Sequence, residues 1–354
     1  MVLTASEQAD ATWVTSVLAG SDDLRTGRVH TVTYEPIAGT HSHLTRLQLQ
    51  YTPDATGALP PSLVLKRFAG RRFGPSEVHY YTRDYADLPD AAVPRCYDAQ
   101  YQPDPPCYHI LMADLSPTHQ NNWDTDPTLD YGVAVAHALA ALHARWWGRD
   151  RLQHMGAPVP GKADVARYLV PPRQGLEPML ACLTTDPERG WIPALRDVFD
   201  RHPEALLARV QQPGGWTLVH GDLNPGNILS PRAGTGTTYL VDRQPFTWSL
   251  TVWLGVADLA GLMVPWWEPE PRRAYELPVL RAYHTALAVR GVTDYLWVQL
   301  LRDYRLCTVE AIYTAATWCA REPERTTMAW VWRPKLARGV TALVDLHVHD
   351  LWAT

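Results

Sequence analysis

No two cysteines stand at C-x-x-C spacing; Cys96, Cys107, Cys182, Cys307 and Cys319 are scattered and odd in number. That speaks against a disulfide framework or a zinc ribbon and fits reduced thiols in the cytoplasm. A basic excess is also missing, since 32 Lys and Arg face 37 Asp and Glu for a net charge of −5. A nucleic-acid partner would demand a basic face. The mild acidity suits a cationic substrate and, equally, plain solubility. There is no long apolar run: the most apolar stretch, Leu254 to Trp267, contains Asp258 and is too short to span a bilayer. The first residues, with Glu7 and Asp10, carry no basic-then-apolar leader. Repeats and low-complexity tracts are absent as well. What remains is the expectation of a soluble, cytoplasmic, globular protein with neither a nucleic-acid nor a membrane partner. With 46% hydrophobic and 19% charged residues over 354 positions, it is long enough for two packed lobes.

The hydrophobic pattern divides the chain. Ser6 to Ala19 reads as a short helix with Ser6 as its cap and Trp13, Val14, Val17 and Leu18 on one face. Alternation then predicts strands at Val29 to Tyr34, Leu44 to Tyr51 and Leu63 to Phe68, separated by Gly, Pro and Asp. Pro75 and Ser76 open a helix expected to reach Leu88, and two more strands follow at Pro94 to Tyr101 and Cys107 to Ala113. The remainder is mostly helical. Helices are expected at Pro127 to Trp147, Trp191 to Val210, Arg272 to Val289, Thr293 to Cys319 and Lys335 to Leu351. Between them, Trp216 to Asp242 reads as short strands around a loop. The expected class is α+β, with an N-terminal sheet lobe over residues 1–115 and a larger, mainly helical lobe over 116–354.

The densest chemistry lies in that loop. His220-Gly221-Asp222-Leu223-Asn224-Pro225-Gly226-Asn227 follows the apolar Leu218-Val219, and Asp242 ends Thr238-Tyr239-Leu240-Val241. By itself His220-Gly221-Asp222 is as good a surface turn as a site. The full spacing, flanked by apolar strands, supplies what phosphoryl transfer needs. A carboxylate, Asp222, can accept the proton of an attacking hydroxyl, and two hard oxygen donors, Asn227 and Asp242, can hold Mg²⁺.

Leu218 to Leu229 resembles the H-G-D-x-x-x-x-N loop of the aminoglycoside phosphotransferases, the choline and ethanolamine kinases and the ecdysteroid-kinase-like proteins. Asp242-Arg243-Gln244 is similar to their D-[FW]-[EQ] segment, with Arg243 where the family keeps an aromatic. Asp258-Leu259-Ala260 is similar to their D-L-A helix start, where the Asp is implied to brace the catalytic loop. The resemblance runs from about Ile37 to Met263 and implies a two-lobed protein-kinase-like fold that uses ATP and Mg²⁺. It further implies that Lys66, in Leu63-Val64-Leu65-Lys66-Arg67-Phe68, contacts the phosphates and is held by Glu77. Ile37-Ala38-Gly39-Thr40-His41-Ser42-His43 falls where a kinase covers the phosphates, with Gly39 and Ser42 as the candidates. Tyr108 to Ser116 is similar to the family's hinge, so adenine is implied to meet the Ala113 carbonyl and the Leu115 amide, with Met112 as a wall. Met112 reads equally as core. His143, in an L-x-x-L-H-A run, reads as a hydrogen-bonded core residue. Arg71 and Arg72 read as solvated.

The expected activity is transfer of the γ-phosphate of ATP to a hydroxyl of a small molecule: an aminoglycoside, amino sugar, choline-like amine, or lipid or steroid alcohol. A protein kinase is disfavoured because Gly221 replaces the H-R-D arginine and no long segment separates Asp242 from Asp258. A non-catalytic nucleotide binder would not need Asp222. A metal hydrolase built on His220 and Asp222 lacks a second His-rich cluster. Trp mixed with acidic residues around Trp266 to Glu276 leans toward an amine-bearing acceptor.

Overall fold

The computed structural model describes residues 2–39, 42–70, 74–243 and 251–352. The chain divides into two compact units, residues 1–120 with 229–247 and residues 121–228 with 248–354. Each is an α/β or helical body with its own core.

The first unit is built on a helix, α1 (Ala11–Gly20), and five strands, β1 (Val29–Ile37), β2 (His43–Tyr51), β3 (Ser62–Ala69), β4 (Cys96–Pro103) and β5 (Pro106–Ala113). The sheet is antiparallel in the order β1-β2-β3-β5-β4. Strand periodicity sends alternate residues to opposite faces. Leu63 and Leu65 of β3 join Val14 and Leu18 of α1, Leu47, Leu49 and Leu111 in one core cluster. Lys66, one residue out of step, belongs to the other face.

Helix α1 does not start at Ser6. That residue lies in a separate 3₁₀ turn, Ser6–Gln8, with its hydroxyl 3.0 Å from that of Thr45. The cap is Asp10, whose carboxylate accepts from Trp13 N at 2.8 Å, because a carboxylate satisfies the first-turn donors and favours the helix dipole. The helix expected to reach Leu88 is shorter as well. Its α-turn, Ser76–His79, widens into a π-helical turn at Tyr80–Asp84 and ends there.

The second unit is dominated by helices, among them α2 (Leu129–Arg145), α3 (Ile192–Val210), α4 (Val256–Trp266), α5 (Pro269–Val289), α6 (Trp297–Cys307), α7 (Glu310–Cys319) and α8 (Ala329–Asp345). The single helix expected over Thr293 to Cys319 is two, Trp297–Cys307 and Glu310–Cys319, with the break at Thr308 and Val309. Helix α8 starts before Lys335 and takes Pro334 into its early turns, and a 3₁₀ turn, Val348–Leu351, follows it. Lys162–Tyr168 and Val170–Ala181 are also helical. Pro171 and Pro172 stand at the start of the second of these, where proline loses no hydrogen bond. Among the described residues no helix is long and apolar enough to cross a membrane.

Candidate active site

In the first unit, the cationic centre is Lys66. β3 carries it between Leu44 of β2 and Ile110 of β5, and its side chain is 4% exposed. Its ammonium lies 2.8 Å from Glu77 Oε1 and 2.5 Å from Asp242 Oδ1. Burial works against the charge, but the Glu77 and Asp242 carboxylates outweigh it and hold the lysine pKa above its ordinary value. Glu77 is in turn fixed by the Tyr108 hydroxyl, which donates to Oε2 at 2.7 Å, and the Tyr108 ring stacks on Phe68 at 5.5 Å. Lys66, Phe68, Tyr108 and Glu77 thus share one face of the sheet. Asp242 follows the short strand Tyr239–Leu240, adopts a left-handed backbone at φ +61°, and leaves its side chain 38% exposed.

Arg243, at the position expected to be aromatic, is buried. It donates to Asp84 Oδ2 at 2.6 Å and lays its guanidinium over the Tyr80 ring, 5.7 Å from the centroid. The Tyr80 hydroxyl donates to the Leu240 carbonyl at 3.0 Å. The neighbouring Gln244 lies outside the described residues, as do Thr40, His41, Arg71 and Arg72.

Gly39 and Ser42 flank the β1–β2 connection. A Cβ at Gly39 would fall 2.8 Å from the Ser42 carbonyl oxygen, so the turn itself demands glycine there. At the other end of the sheet, Met112 is buried, the Ala113 amide donates to the Arg95 carbonyl at 2.9 Å, and the Leu115 carbonyl accepts from Thr118 and His119. Between them Asp114 accepts from Arg46 Nε and the Ser62 hydroxyl, both at 2.8 Å, and from Ser116 N at 3.0 Å. Burial would raise this carboxyl, yet the Ser116, Ser62 and Arg46 hydrogen bonds hold it below the usual range.

The second unit carries the loop. The strand Trp216–Leu218 pairs antiparallel with Val252–Leu254 and delivers the chain to Gly221, whose φ of +78° is a conformation that a side chain would strain. Asp258, in the first turn of α4, receives the loop: Oδ2 accepts from His220 N at 2.6 Å and Oδ1 from Gly221 N at 2.9 Å. His143 of α2 lies 3.0 Å from the same Oδ2 through Nε2, and its Nδ1 is 2.7 Å from the Tyr283 hydroxyl. Burial pushes the Asp258 carboxyl up, but the His143 contact, the fields of His143 and His220 and the Gly221 amide hold it below its ordinary value. His143 is therefore a core residue, as its pattern suggested, and one that positions the loop through Asp258.

Beyond Gly221, Asp222 is half-buried and its carbonyl accepts from Asn227 Nδ2 at 2.9 Å and Asn224 Nδ2 at 3.1 Å. Asn227 Nδ2 also lies 3.5 Å from Asp222 Oδ2. The five-residue step thus brings the Asp222 and Asn227 side chains together. Since the Asn227 nitrogen is turned onto Asp222, its Oδ1 is the atom left for another partner. Among the described residues no group of three or more His, Cys, Asp and Glu could hold a metal by itself. A site for Mg²⁺ would rest instead on an amide oxygen and a single carboxylate, with water completing the shell.

Two features of this unit escaped the motif reading. Asn122 clips both ends of the loop, its backbone amide donating to the Pro225 carbonyl at 3.0 Å and its Nδ2 to that of Ile228 at 3.1 Å. Beside it opens a cavity of about 250 Å³, walled by Trp123, Pro225, Trp266 and Trp267 and by Lys335 and Arg338 of α8. The Trp wealth of the C-terminal half was the sequence signal for it, and Trp266, Trp267 and Trp330 of that set do line it; Asn122, Trp123 and Lys335 carry no local motif.

The sequence matches no family model and no curated protein sequence. Solved structures do match. A glucosamine kinase in complex with glucosamine, ADP and inorganic phosphate aligns with a TM-score of 0.53 and 16% identity, over 94% of this chain and 98% of that one. A spectinomycin phosphotransferase in complex with ADP and spectinomycin aligns at 0.56 and 13%, over 96% and 98%. The choline kinase of Cryptosporidium parvum aligns at 0.56 and 11%, over 90% and 91%. The chain has the protein-kinase-like fold. Within it, the N-terminal antiparallel sheet and the helical C-terminal part stand as the sequence led us to expect, and the structures it resembles are those of small-molecule kinases. Identity this low carries the kinase-like fold and nothing finer.

Proposed function

We propose that this chain is an ATP-dependent phosphotransferase that moves the γ-phosphate of ATP to a hydroxyl of a small molecule. The observation that carries the reading is Lys66, a buried ammonium held at 2.8 Å by Glu77 and at 2.5 Å by Asp242. An aspartate fixed on a lysine, on a strained backbone and still partly exposed, is poised for a second cation. In this reading residues 1–115 bind nucleotide and 116–354 carry catalysis and acceptor binding. Lys66 pairs with the phosphates and Glu77 orients it. Gly39 and Ser42 border the phosphates, while Met112, Ala113 and Leu115 line the adenine site. Asn227 Oδ1 and the Asp242 carboxylate hold Mg²⁺, whose charge, when bound, neutralises the phosphate oxygens.

Asp222 takes the proton of the acceptor hydroxyl. Its backbone is immobilised by the Asn224 and Asn227 amides, and the turn before it hangs on Asp258. A base held in this way needs no reorganisation when the hydroxyl arrives. The nucleotide-bound relatives, a glucosamine kinase with ADP and a spectinomycin phosphotransferase with ADP, support the cofactor choice. All five cysteines are unpaired thiols, which suits the cytoplasm.

The test is ADP release over a panel of alcohols, with calorimetry for nucleotide binding. Asp222→Ala is expected to lower kcat by roughly 10²–10⁴-fold while ATP still binds. Equal turnover by the variant and the wild type would remove Asp222 as the base. Binding of ATP without turnover of any alcohol would favour a non-catalytic nucleotide binder.

A further inference from the structure

The cavity beside the loop belongs wholly to the second unit, and its chemistry departs from what an amine-bearing acceptor needs. One ring of its aromatic wall is already served. The Lys335 ammonium lies 4.0 Å from the Trp266 ring centroid, so the face that would attract a ligand cation is covered by a resident one. Trp123 leans on Trp266 with centroids 5.2 Å apart, tilted by 59°. It reaches the loop as well: its ring lies 3.4 Å from where a Cβ at Gly226 would stand, in van der Waals reach of the turn that follows Asp222.

Charge tells the same story. The described lining residues include Lys335 and Arg338, one helical turn apart on α8, and no carboxylate. Of the acidic residues around Trp266 to Glu276, which leaned the sequence reading toward an amine, none lines the cavity, and two are engaged by groups of the fold. Glu268 pairs with Arg338, and Glu276 Oε2 accepts from Arg272 Nη1 at 2.8 Å and from the Tyr304 hydroxyl at 3.1 Å. Of the described carboxylates, Asp222 acts on Lys335, but the phosphotransfer reading commits it to the acceptor hydroxyl. Burial, the largest influence, brings Lys335 down to about 8; Asp222 raises it and Arg338 lowers it again. The ammonium is under-compensated, and an anion would complete it.

We propose that Lys335 is the specificity-determining residue of an acceptor pocket floored by Pro225 and walled by Trp123 and Trp266. The acceptor it selects is a ring-bearing alcohol that carries a carboxylate, in preference to one that carries an amine. The proposal rests on the phosphotransfer reading for the word acceptor, and on the pocket alone for the choice of charge. The ring lies against the indoles, the carboxylate meets Lys335, and the hydroxyl is presented to Asp222. Arg338, tied to Glu268 and to the Pro265 carbonyl at 3.0 Å, sets the positive field without leaving its partners.

The test compares three ligands of one shape: 4-(hydroxymethyl)benzoate, 4-(hydroxymethyl)benzamide and 4-(aminomethyl)benzyl alcohol. Each is titrated calorimetrically into the full chain with a non-hydrolysable ATP analogue present, and ADP release is measured separately with ATP. A charge-assisted contact predicts that the benzoate binds roughly 10–100-fold tighter than the amine. Lys335→Met abolishes that ratio, Lys335→Arg keeps it and Lys335→Glu reverses it. Circular dichroism and melting of each variant show that it is folded, and the arginine variant controls for the loss of side-chain bulk. An amine that binds as well as the benzoate, no binding of any of the three, or an unchanged ratio in Lys335→Met overturns the proposal. Lysine-dependent binding of the benzoate with no ADP release would leave the charge preference standing and sink phosphotransfer. Turnover that favours the amine would do the reverse.

Discussion

Asp258→Asn is the sharpest probe of how the loop is held, because it changes one atom of the side chain and little of its shape. The carboxylate accepts from His220 N at 2.6 Å and Gly221 N at 2.9 Å, with His143 Nε2 at 3.0 Å. Asparagine offers one acceptor oxygen and an NH₂. Whichever way the amide turns, its nitrogen faces an N–H that now has no acceptor. At least one charge-assisted bond of about 1.5–3 kcal/mol is lost, and those that remain become neutral and weaker, for a total of roughly 3–5 kcal/mol. A domain of 150–250 residues moves about 2–4 °C per kcal/mol, so calorimetry at pH 7 is expected to record a drop on the order of 10 °C. Hydrogen exchange is expected to lose protection at the His220 and Gly221 amides.

The pH dependence of that difference follows from the direction of the Asp258 shift. Its folded-state carboxyl is held below the usual value. The stability it contributes is therefore complete above the unfolded carboxylate pKa of about 3.9 and is lost as pH falls through the lower folded value. The gap between wild type and Asp258→Asn closes only in strong acid. A variant that melts within about 2 °C of wild type at pH 7, with both amides equally protected, would refute the bracing role.

Two further outcomes test the buried charges. Lys66→Met leaves the Glu77 carboxylate buried beside Asp242 without the ammonium between them, and should cost roughly 3–5 kcal/mol in urea unfolding and abolish nucleotide binding by calorimetry; unchanged stability would place Lys66 outside the pair. Glu310, buried and pushed up to about 8 despite the hydrogen bond from Trp253, binds its proton more tightly folded than unfolded, where its pKa is about 4.3. Wild-type stability should fall as pH rises from about 4.3 toward 8, whereas Glu310→Gln keeps an acceptor for Trp253, cannot ionise, and should lose that slope. Parallel urea midpoints at pH 5 and pH 8 would show that Glu310 does not titrate in this range.

Legibility in the sequence followed the range of the forces involved. The strands were legible because alternation is local, so Val29–Ile37, His43–Tyr51 and Ser62–Ala69 emerge close to their expected bounds. The loop was legible for a related reason: Asp222 and Asn227 are five residues apart, and their contact is a property of one tight turn. Lys66 and Glu77 were found by family pattern, and their contact needs the strand and the following turn together. What stayed hidden involves partners that only tertiary structure selects. His143 to Asp258 spans 115 positions and Asn122 to Ile228 spans 106, and neither end of either pair has a sequence environment that announces the other. Helix ends failed where no local residue type marks them, as at the break between α6 and α7.

Arg243 and the π-helical turn read as two separate irregularities along the chain, an arginine where an aromatic was expected and a helix that widens at Tyr80–Asp84. In the folded unit they are one arrangement. A buried guanidinium needs a carboxylate at hydrogen-bond distance, and Asp84, itself inaccessible to solvent, supplies it at 2.6 Å from the end of the widened turn. The same turn places Tyr80 beneath the guanidinium and ties its hydroxyl to the Leu240 carbonyl, two residues before Asp242. Arginine thus meets the Tyr80 ring as a cation on a π face and brings a charge that Asp84 of this turn neutralises. The backbone that presents Asp242 is therefore fixed by a side chain next to it and a helix irregularity some 160 positions earlier. Replacing Arg243 alone by the family's aromatic would remove the bond at Asp84 Oδ2 and leave this buried carboxylate the one from half-exposed Arg83 at Oδ1, 2.8 Å away, so the two departures are expected to change together.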